Sequence, residues 1–188
     1  MSLLLHTCCG PCLSGAWPHL KSAGAREMVL FWENPNIHPL TEYHARFESF
    51  RKMAGLLHAE IRWGDVSYGL DRFLTALQGD FGPARCAACF RMRLGATAAR
   101  ARRDGIPAFS TTLLISPYQD HDLLVSIGHE AGRTHGVSFV DTDLRPAFST
   151  THAEARAHEL YRQKYCGCMF SERDRFAPKL RFETDPVV

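Results

Sequence analysis

The sequence predicts a single α/β domain, residues 1–188, built on a mostly parallel sheet of about five strands with helices on both faces. Short apolar runs rich in branched or aromatic residues alternate with segments of helical periodicity along the chain. Such alternation is typical of βαβ units, whose crossover helices cover both faces of a parallel sheet. An apolar content of 45% is sufficient for one core.

The elements follow in order from these patterns. The predicted strands, each bounded by Gly, Pro or polar residues, are 2–6, 28–32, 59–63, 107–111 and 137–140. The predicted helices are 12–23, 41–57, 70–78, 87–103, 119–134 and 152–164. The helical period is clearest over 41–57, where Thr41 is the expected N-cap. We expect the part from about 152 to 188 to form a helical, Cys-x-Cys extension packed on the domain.

Three distinctive segments follow predicted strands. Residues 6–9 read HTCC, residues 33–39 read ENPNIHP and residues 111–118 read TTLLISPY. Ligands of open parallel sheets bind beyond the carboxyl ends of the strands. The functional residues are therefore expected at this edge.

The seven cysteines fall into three tight clusters and occur nowhere else. They are Cys8, Cys9 and Cys12, then Cys86 and Cys89, then Cys166 and Cys168. Met1 is followed by a strand-like run rather than a signal peptide, so we expect a reducing, cytoplasmic location. The apolar runs are strand-length, well short of the roughly 20 residues that a bilayer crossing requires, so no membrane association is expected. Closely spaced thiols in such a compartment usually hold metal or exchange electrons.

The first two clusters together offer enough thiolates for a metal site. Cys8, Cys9 and Cys12 open a predicted helix, where free amide groups and the helix dipole stabilise thiolate and lower its pKa. Cys86 and Cys89 add two sulfurs on one helical turn. Adjacent cysteine side chains are expected to diverge, which favours an iron–sulfur cluster over a single zinc ion, with zinc as the main alternative.

The third cluster differs because a single residue separates its sulfurs. A disulfide between Cys166 and Cys168 would be strained and easily reduced, which suits redox turnover. The alternative is that both are further metal ligands.

Polar residues at the other strand ends are candidates for substrate contact and proton transfer. Asn34, Asn36 and His38 are candidates for the substrate site, although Asn and Pro also simply shape turns. Tyr118 is a candidate proton donor with Asp120 as its partner, and His38 is a further candidate. The ten histidines form no HExxH pattern or comparable spacing, so the sequence gives little support to a histidine-based zinc hydrolase.

Charge is unevenly distributed although the net charge is only +2. Residues 81–103 carry six arginines and no acid. The C-terminal stretch is also basic, through Arg162, Lys164, Arg173, Arg175, Lys179 and Arg181. Basic segments beside cysteine clusters indicate an anionic partner such as nucleic acid, while arginine-rich coding bias is the alternative explanation.

Five motifs together resemble the compact, cobalamin-independent epoxyqueuosine reductase family. They are HTCCGPC at 6–12, WENPNIHPLTEYHAR at 32–46, RCAACFRMR at 85–93, STTLLISPYQDH at 110–121 and YCGCMFS at 165–171. The resemblance implies a HUP-like fold, akin to that of ATP pyrophosphatases. It also implies reduction of epoxyqueuosine to queuosine at the wobble position of tRNAs with GUN anticodons.

The resemblance further implies roles for individual residues. Cys8, Cys9, Cys86 and Cys89 match ligands of a [4Fe-4S] cluster, Cys166 and Cys168 match a redox-active pair, and Cys12 is a candidate ligand of an additional mononuclear iron. The expected substrate and tRNA contacts are Asn34, Asn36, Tyr43, Arg46, Arg91, Arg93, Arg100, Arg102, Arg103 and Lys164. An external electron donor is expected. Cobalamin is not expected, nor is ATP, because CCGPC replaces the nucleotide-binding loop of the pyrophosphatases.

Two other functions fit parts of the pattern. A tRNA sulfurtransferase of the same fold would need ATP and a cysteine that carries a persulfide. A non-enzymatic RNA-binding module would hold zinc rather than iron, so metal content separates it from a reductase.

Overall fold

The sheet has five strands, all parallel. The computed structural model describes residues 1–180, so Arg181 and the end of the predicted extension lie outside the described residues. The strands are β1 (Ser2–His6), β2 (Glu27–Trp32), β3 (Ile61–Trp63), β4 (Ala108–Thr111) and β5 (Ser138–Phe139), in the order β3-β2-β1-β4-β5. The predicted α/β class is confirmed, and the architecture is consistent with a HUP-like fold.

Helices pack in two groups around this sheet. The described residues form α1 (Gly10–Ser22), α2 (Leu40–Leu56), α3 (Leu70–Leu77), α4 (Arg85–Arg103), α5 (His121–His135), α6 (Phe148–Ala157) and α7 (Met169–Phe176). Helix α1 packs against α2 and α6, whereas α4 packs against α3 and α5. The winding reverses at β1, so right-handed crossovers place helices on both faces. None of the helices within residues 1–180 combines the length and apolarity needed to cross a bilayer.

The core is centred on β1, the middle strand. Leu3, Leu4 and Leu5 are fully buried there, as expected for a strand covered on both faces. Beside it, Trp32 at the end of β2 stacks on Phe50 of α2 with ring centroids 4.8 Å apart. This packing fixes the carboxyl edge of the sheet from which the functional loops emerge.

The predicted C-terminal helix is wrong in position. Helix α6 begins at Phe148 and ends at Ala157, so residues 158–164 are not helical. A 3₁₀ turn, Arg145–Ala147, leads directly into α6, so the helical path begins before the predicted start at residue 152. Glu159 then adopts a left-handed φ of 49°, which ends the helical path.

Two further helix starts differ from the prediction. Thr41 is not the N-cap of α2, because the helix begins at Leu40 with Pro39 in the capping position and no side-chain cap bond. Helix α7 was not predicted. Its N-cap is Cys168, whose sulfur accepts a hydrogen bond from the Ser171 amide at 3.4 Å. Ser or Asp usually occupies this position.

Candidate metal centre

The first cysteine cluster lies where the winding of the sheet reverses. The loops after neighbouring strands β1 and β4 leave in opposite directions, which opens the crevice typical of ligand sites in such sheets. The two loops are joined directly, since the Cys8 amide donates to Thr112 Oγ1 at 3.1 Å and the Thr112 hydroxyl donates to Cys8 Sγ at 3.3 Å. The cluster therefore occupies the predicted edge of the sheet.

The three sulfurs of this cluster converge. The Sγ atoms of Cys8, Cys9 and Cys12 all lie within 4.8 Å of one another, and those of the adjacent Cys8 and Cys9 are 3.8 Å apart. Cys9 caps α1, its sulfur accepting the Cys12 amide at 3.3 Å. The expectation that neighbouring cysteines diverge is wrong here, so adjacency does not by itself favour a cluster over a single ion.

The three thiols differ in acidity. Hydrogen bonds with Cys12 and Cys9 hold the pKa of Cys8 well below its ordinary value, with help from the nearby Arg93 charge. Burial raises the pKa of Cys9, and the bonds to Cys8 and Cys9 raise that of Cys12. The pKa is therefore lowered for one of the three thiols, and the main cause is hydrogen bonding with the neighbouring thiols, not the predicted helix amides and dipole.

The other four cysteines lie around the first turns of α4 and α7. Cys89 and Cys168 share a small buried cluster with Phe73 and Leu77, and burial raises the pKa of Cys89 to about 12. All seven cysteines are free thiols. Among residues 1–180, the sulfurs that lie close enough together to share one metal ion are those of Cys8, Cys9 and Cys12, and the predicted ligands Cys86 and Cys89 are not part of that group.

Arg93 is a buried cation at this crevice. It is 1% exposed, and its guanidinium lies 3.9 Å from Cys89 Sγ and donates to Asn34 Oδ1 at 2.7 Å. Within residues 1–180 no carboxylate lies within 4.0 Å of it. A buried charge is costly unless an opposite charge compensates it. The sulfurs therefore offer the negative charge that Arg93 lacks.

The donor set fits a metal bound through sulfur. Thiolates select soft or borderline metals such as iron and zinc and disfavour magnesium and calcium. Gln163 supports this set, because its Nε2 donates to Cys9 Sγ at 3.0 Å and to Cys12 Sγ at 3.5 Å. An anionic metal–thiolate group would satisfy both the amide donor and the Arg93 charge. The residues present fit a metal bound through thiolates and are compatible with an iron–sulfur group.

Arg46 holds the third cysteine cluster in place. Its side chain is 1% exposed. The guanidinium donates to Glu42 Oε1 at 2.7 Å, to the Cys166 carbonyl at 2.8 Å and to the Tyr165 carbonyl at 2.9 Å. The expected contact of Arg46 with tRNA is thus wrong, because the side chain is buried and used internally.

The segment held by Arg46 has room only for glycine at its centre. Gly167 has a φ of +142°, and a Cβ there would lie 3.2 Å from Asn36 Nδ2 and 3.3 Å from Arg46 Nη1. Its carbonyl accepts the His38 amide at 2.8 Å. The ENPNIHP loop and the Cys-Gly-Cys segment therefore form one packed unit.

Two of the three polar candidates in that loop have no partners. Asn34 is fully used, because its amide also donates to the Thr7 carbonyl at 2.9 Å. Asn36 and His38 are each 1% exposed. Within the described chain none of their side-chain nitrogens or oxygens makes a hydrogen bond of standard geometry, and the nearest polar group to the His38 ring is the Pro35 backbone. Buried polar groups without partners are rare, which marks this pair as a place where a ligand can bind.

The ring of His38 packs against Tyr68 and Phe73. Burial lowers the pKa of His38 to about 4, so the ring is neutral near pH 7. In the unfolded chain the group titrates near 6.5. Between these values only the unfolded state binds the proton, and the free energy of unfolding should fall as pH decreases, by up to about 1.4 kcal/mol per pH unit.

Denaturant unfolding of anaerobically purified protein between pH 7.5 and 5 should measure how the free energy of unfolding changes with pH. His38→Phe should reduce that slope by the contribution of about one proton. The substitution keeps a flat ring between Tyr68 and Phe73. His44→Phe, which replaces an exposed histidine on α2, is the control substitution. Equal slopes in wild type and His38→Phe would contradict the prediction.

In the SPYQDH segment, the residue that contacts a cysteine sulfur is not one of the two that were predicted. Tyr118 is 82% exposed and faces solvent. Asp120 caps α5, accepting the Leu123 amide at 3.0 Å. Gln119 between them donates to Cys166 Sγ at 3.5 Å. Neither Gln119 nor Gln163 was identified from the sequence, because a neutral amide carries no motif of its own and each lies beside a more conspicuous residue.

The basic and aromatic residues expected to contact tRNA separate into two sets. Arg93 and Arg46 are buried, as is Tyr43, whose hydroxyl donates to the Val66 carbonyl at 2.9 Å. Arg100 is engaged by Asp104 at 2.7 Å and by a backbone carbonyl. The exposed members are Arg91, Arg102, Arg103 and Lys164. Only this second set is available to an external polyanion.

Comparison with known proteins agrees with this arrangement. The family model described as epoxyqueuosine reductase QueH matches residues 3–174. The chain belongs to the QueH family. The matched range contains all seven cysteines and both buried arginines, so QueH membership covers the whole crevice.

Individual QueH relatives match over similar lengths. The epoxyqueuosine reductase QueH of Dehalococcoides mccartyi is 37% identical over 174 residues, covering 93% of this chain and 94% of the relative. That of Thermotoga maritima is 35% identical over 182 residues, covering 93% and 92%. That of Helicobacter pylori is 37% identical over 181 residues, and the match spans 49% of that longer protein.

Proposed function

We propose that this protein is an epoxyqueuosine reductase, an oxidoreductase of tRNA modification. Its substrate would be epoxyqueuosine at the wobble position of tRNAs with GUN anticodons, and its product queuosine. The observation that carries the proposal is the convergence of three free thiols and a buried, uncompensated Arg93 at the ligand-binding edge of the sheet. A cytoplasmic location follows from a tRNA substrate.

In this proposal Cys8, Cys9, Cys86 and Cys89 hold a [4Fe-4S] cluster, and Cys12 is available to an additional mononuclear iron. When bound, such a group supplies single electrons and a Lewis acid for oxygen. Arg93 contributes positive charge beside it, and Thr112 and Gln163 donate hydrogen bonds to its sulfur ligands. Neither ATP nor cobalamin has a role.

The Cys166 and Cys168 thiols suit the electron balance of the reaction. Loss of the epoxide oxygen as water, leaving an alkene, requires two electrons and two protons. Oxidation of two thiols to a disulfide releases the same number of each. An external electron donor must then reduce the disulfide after each turnover. Arg46 fixes the backbone of this segment beside the ENPNIHP loop.

Asn36 and His38 are the residues proposed to orient the substrate. Both present buried polar atoms without partners, so a ligand with hydroxyl groups and an epoxide oxygen would satisfy them. The neutral His38 ring can donate one hydrogen bond and accept another. A hydrogen-bond donor at the departing oxygen would favour its release as water.

The decisive experiment incubates anaerobically purified, iron-loaded protein and a chemical reductant with tRNA that bears epoxyqueuosine. Digestion and mass spectrometry of the nucleosides should reveal loss of one oxygen. Asn36→Leu should lower kcat/KM by about tenfold, since it removes hydrogen bonds worth about 1.4 kcal/mol. His44→Ala, on the exposed face of α2, is the control. Iron-loaded, reduced wild-type protein that leaves the nucleoside unchanged would disprove the proposal.

A further inference from the structure

An exposed pair of aromatic rings lies at the rim of the thiol site. Phe81, in the connection between α3 and α4, and Phe170, on the first turn of α7, stack with centroids 5.1 Å apart and an interplanar angle of 17°. The Phe81 ring is 47% exposed. We call this pair the aromatic platform. An aromatic ring that served only to brace α7 would be covered, and this one presents a surface to solvent.

Guanidinium groups surround the platform. The Cζ atoms of Arg85 and Arg173 lie 5.7 and 5.8 Å from the centroid of the Phe170 ring. Both arginines pair with a single carboxylate, that of Asp174. Among residues 1–180 the two arginines therefore share one carboxylate between them, and Arg173 is 59% exposed. The surface combines an aromatic face with available positive charge.

The platform adjoins the sulfurs. Phe170 packs against the small buried cluster that contains Cys89 and Cys168, and it is two residues from Cys168. The ring of Phe170 therefore lies between the exposed Phe81 and the cluster that contains Cys89 and Cys168, so a planar group stacked on the platform would be held near these thiols.

We propose that the aromatic platform stacks an unpaired base of the tRNA anticodon loop, next to the modified nucleotide. This inference rests on the proposed function, which brings that loop to the thiols. Single-stranded RNA is bound by stacking splayed bases on aromatic rings and arginine planes, while cations meet the phosphates. The platform supplies the ring face, and Arg173 supplies the exposed cation. The partner is therefore single-stranded RNA rather than a duplex, whose bases are not available for stacking.

The test measures binding of a synthetic anticodon stem-loop RNA, with an unmodified GUN anticodon, to the anaerobically purified protein. Phe81→Ala should raise Kd by about 5- to 150-fold, the range expected for loss of one base–aromatic stack. Phe81→Trp should retain affinity, and Phe81→Leu should lose it, because leucine is apolar but has no π face. Leu56→Ala removes an apolar side chain of similar exposure, 49%, from α2 and should leave Kd unchanged.

Salt dependence separates stacking from charge. Phe81→Ala should keep the wild-type slope of log Kd against log salt, because no phosphate contact is lost. Arg173→Gln should reduce that slope by about 1. Two results would overturn the proposed stacking. One is a Kd of Phe81→Ala within twofold of the wild-type value, and the other is that Phe81→Ala loses as much affinity for a duplex RNA without a loop as for the stem-loop. Because the RNA is unmodified, platform-dependent binding without epoxide reduction by the wild type would refute only the proposed function.

Discussion

Arg46→Met is expected to lower the free energy of unfolding by about 3–5 kcal/mol, the usual cost of breaking a buried ion pair from one side. The variant leaves the buried Glu42 carboxylate without its guanidinium and leaves the Tyr165 and Cys166 carbonyls without donors. Methionine fills much of the space of the arginine side chain. The decrease in the free energy of unfolding therefore comes from the lost charge and hydrogen bonds more than from a change in side-chain volume. Denaturant unfolding of the purified protein measures it.

The partner substitution provides the control. In Arg46→Met/Glu42→Leu both charges are gone, and replacement of a whole buried pair by apolar groups is often close to neutral. The double variant should therefore recover much of the lost stability. It should still expose Cys166 to faster alkylation, because the anchor of the Cys-Gly-Cys segment is missing in both variants. A single variant within about 1 kcal/mol of wild type would contradict the assignment of Arg46.

Arg93→Met is expected to affect the iron-loaded protein much more than the metal-free protein. Without metal, the cost of burying a cation that has no carboxylate partner is removed, while the attraction to the Cys8 thiolate and the bond to Asn34 are lost, so stability should change little. With iron bound, the variant loses an attraction of about 4 kcal/mol, the value for unit charges 4 Å apart at an effective dielectric constant of 20. Iron should then be released to a chelator at least about tenfold faster.

Arg93→Lys distinguishes charge from shape. Lysine keeps the positive charge and should retain most of the iron, although it cannot bond to Cys89 and Asn34 together. The rate of iron release and the unfolding of the metal-free protein are both measurable without any enzymatic turnover. Unchanged iron release in Arg93→Met, or a metal-free form destabilised as strongly as Arg46→Met, would contradict a role toward the metal.

The sequence predicts the sheet and the position of the crevice well, for a local reason. Strand 2–6 is predicted with the bounds that β1 has, because a buried parallel strand is a short apolar run that ends at polar residues. The rule that ligands bind at carboxyl ends of strands then places Cys8 and Thr112 together. Both inferences require only neighbouring residues and a general property of parallel sheets.

The roles of the buried arginines could not be predicted in the same way. The pairing of Arg46 with Glu42 is visible as an i,i+4 spacing, but its other acceptors, the Tyr165 and Cys166 carbonyls, lie 119 and 120 residues away. The same long-range contacts draw residues 158–168 toward the crevice and override the helical pattern there. Arginine is normally a surface residue. Clustered arginines in a sequence therefore predict an RNA-binding surface, and only the fold shows which of them are buried.

The Arg46 contacts have a consequence for a segment whose thiols are proposed to change their bonding during each catalytic cycle. Arg46 holds the segment through main-chain oxygens, and His38 holds it through the Gly167 carbonyl. None of these contacts involves sulfur, so none is made or broken when Cys166 or Cys168 gains or loses a proton or a partner. This main-chain support is therefore independent of the state of the thiols, whereas the contacts of Cys168 Sγ with the Ser171 amide and of Cys166 Sγ with Gln119 would change with it.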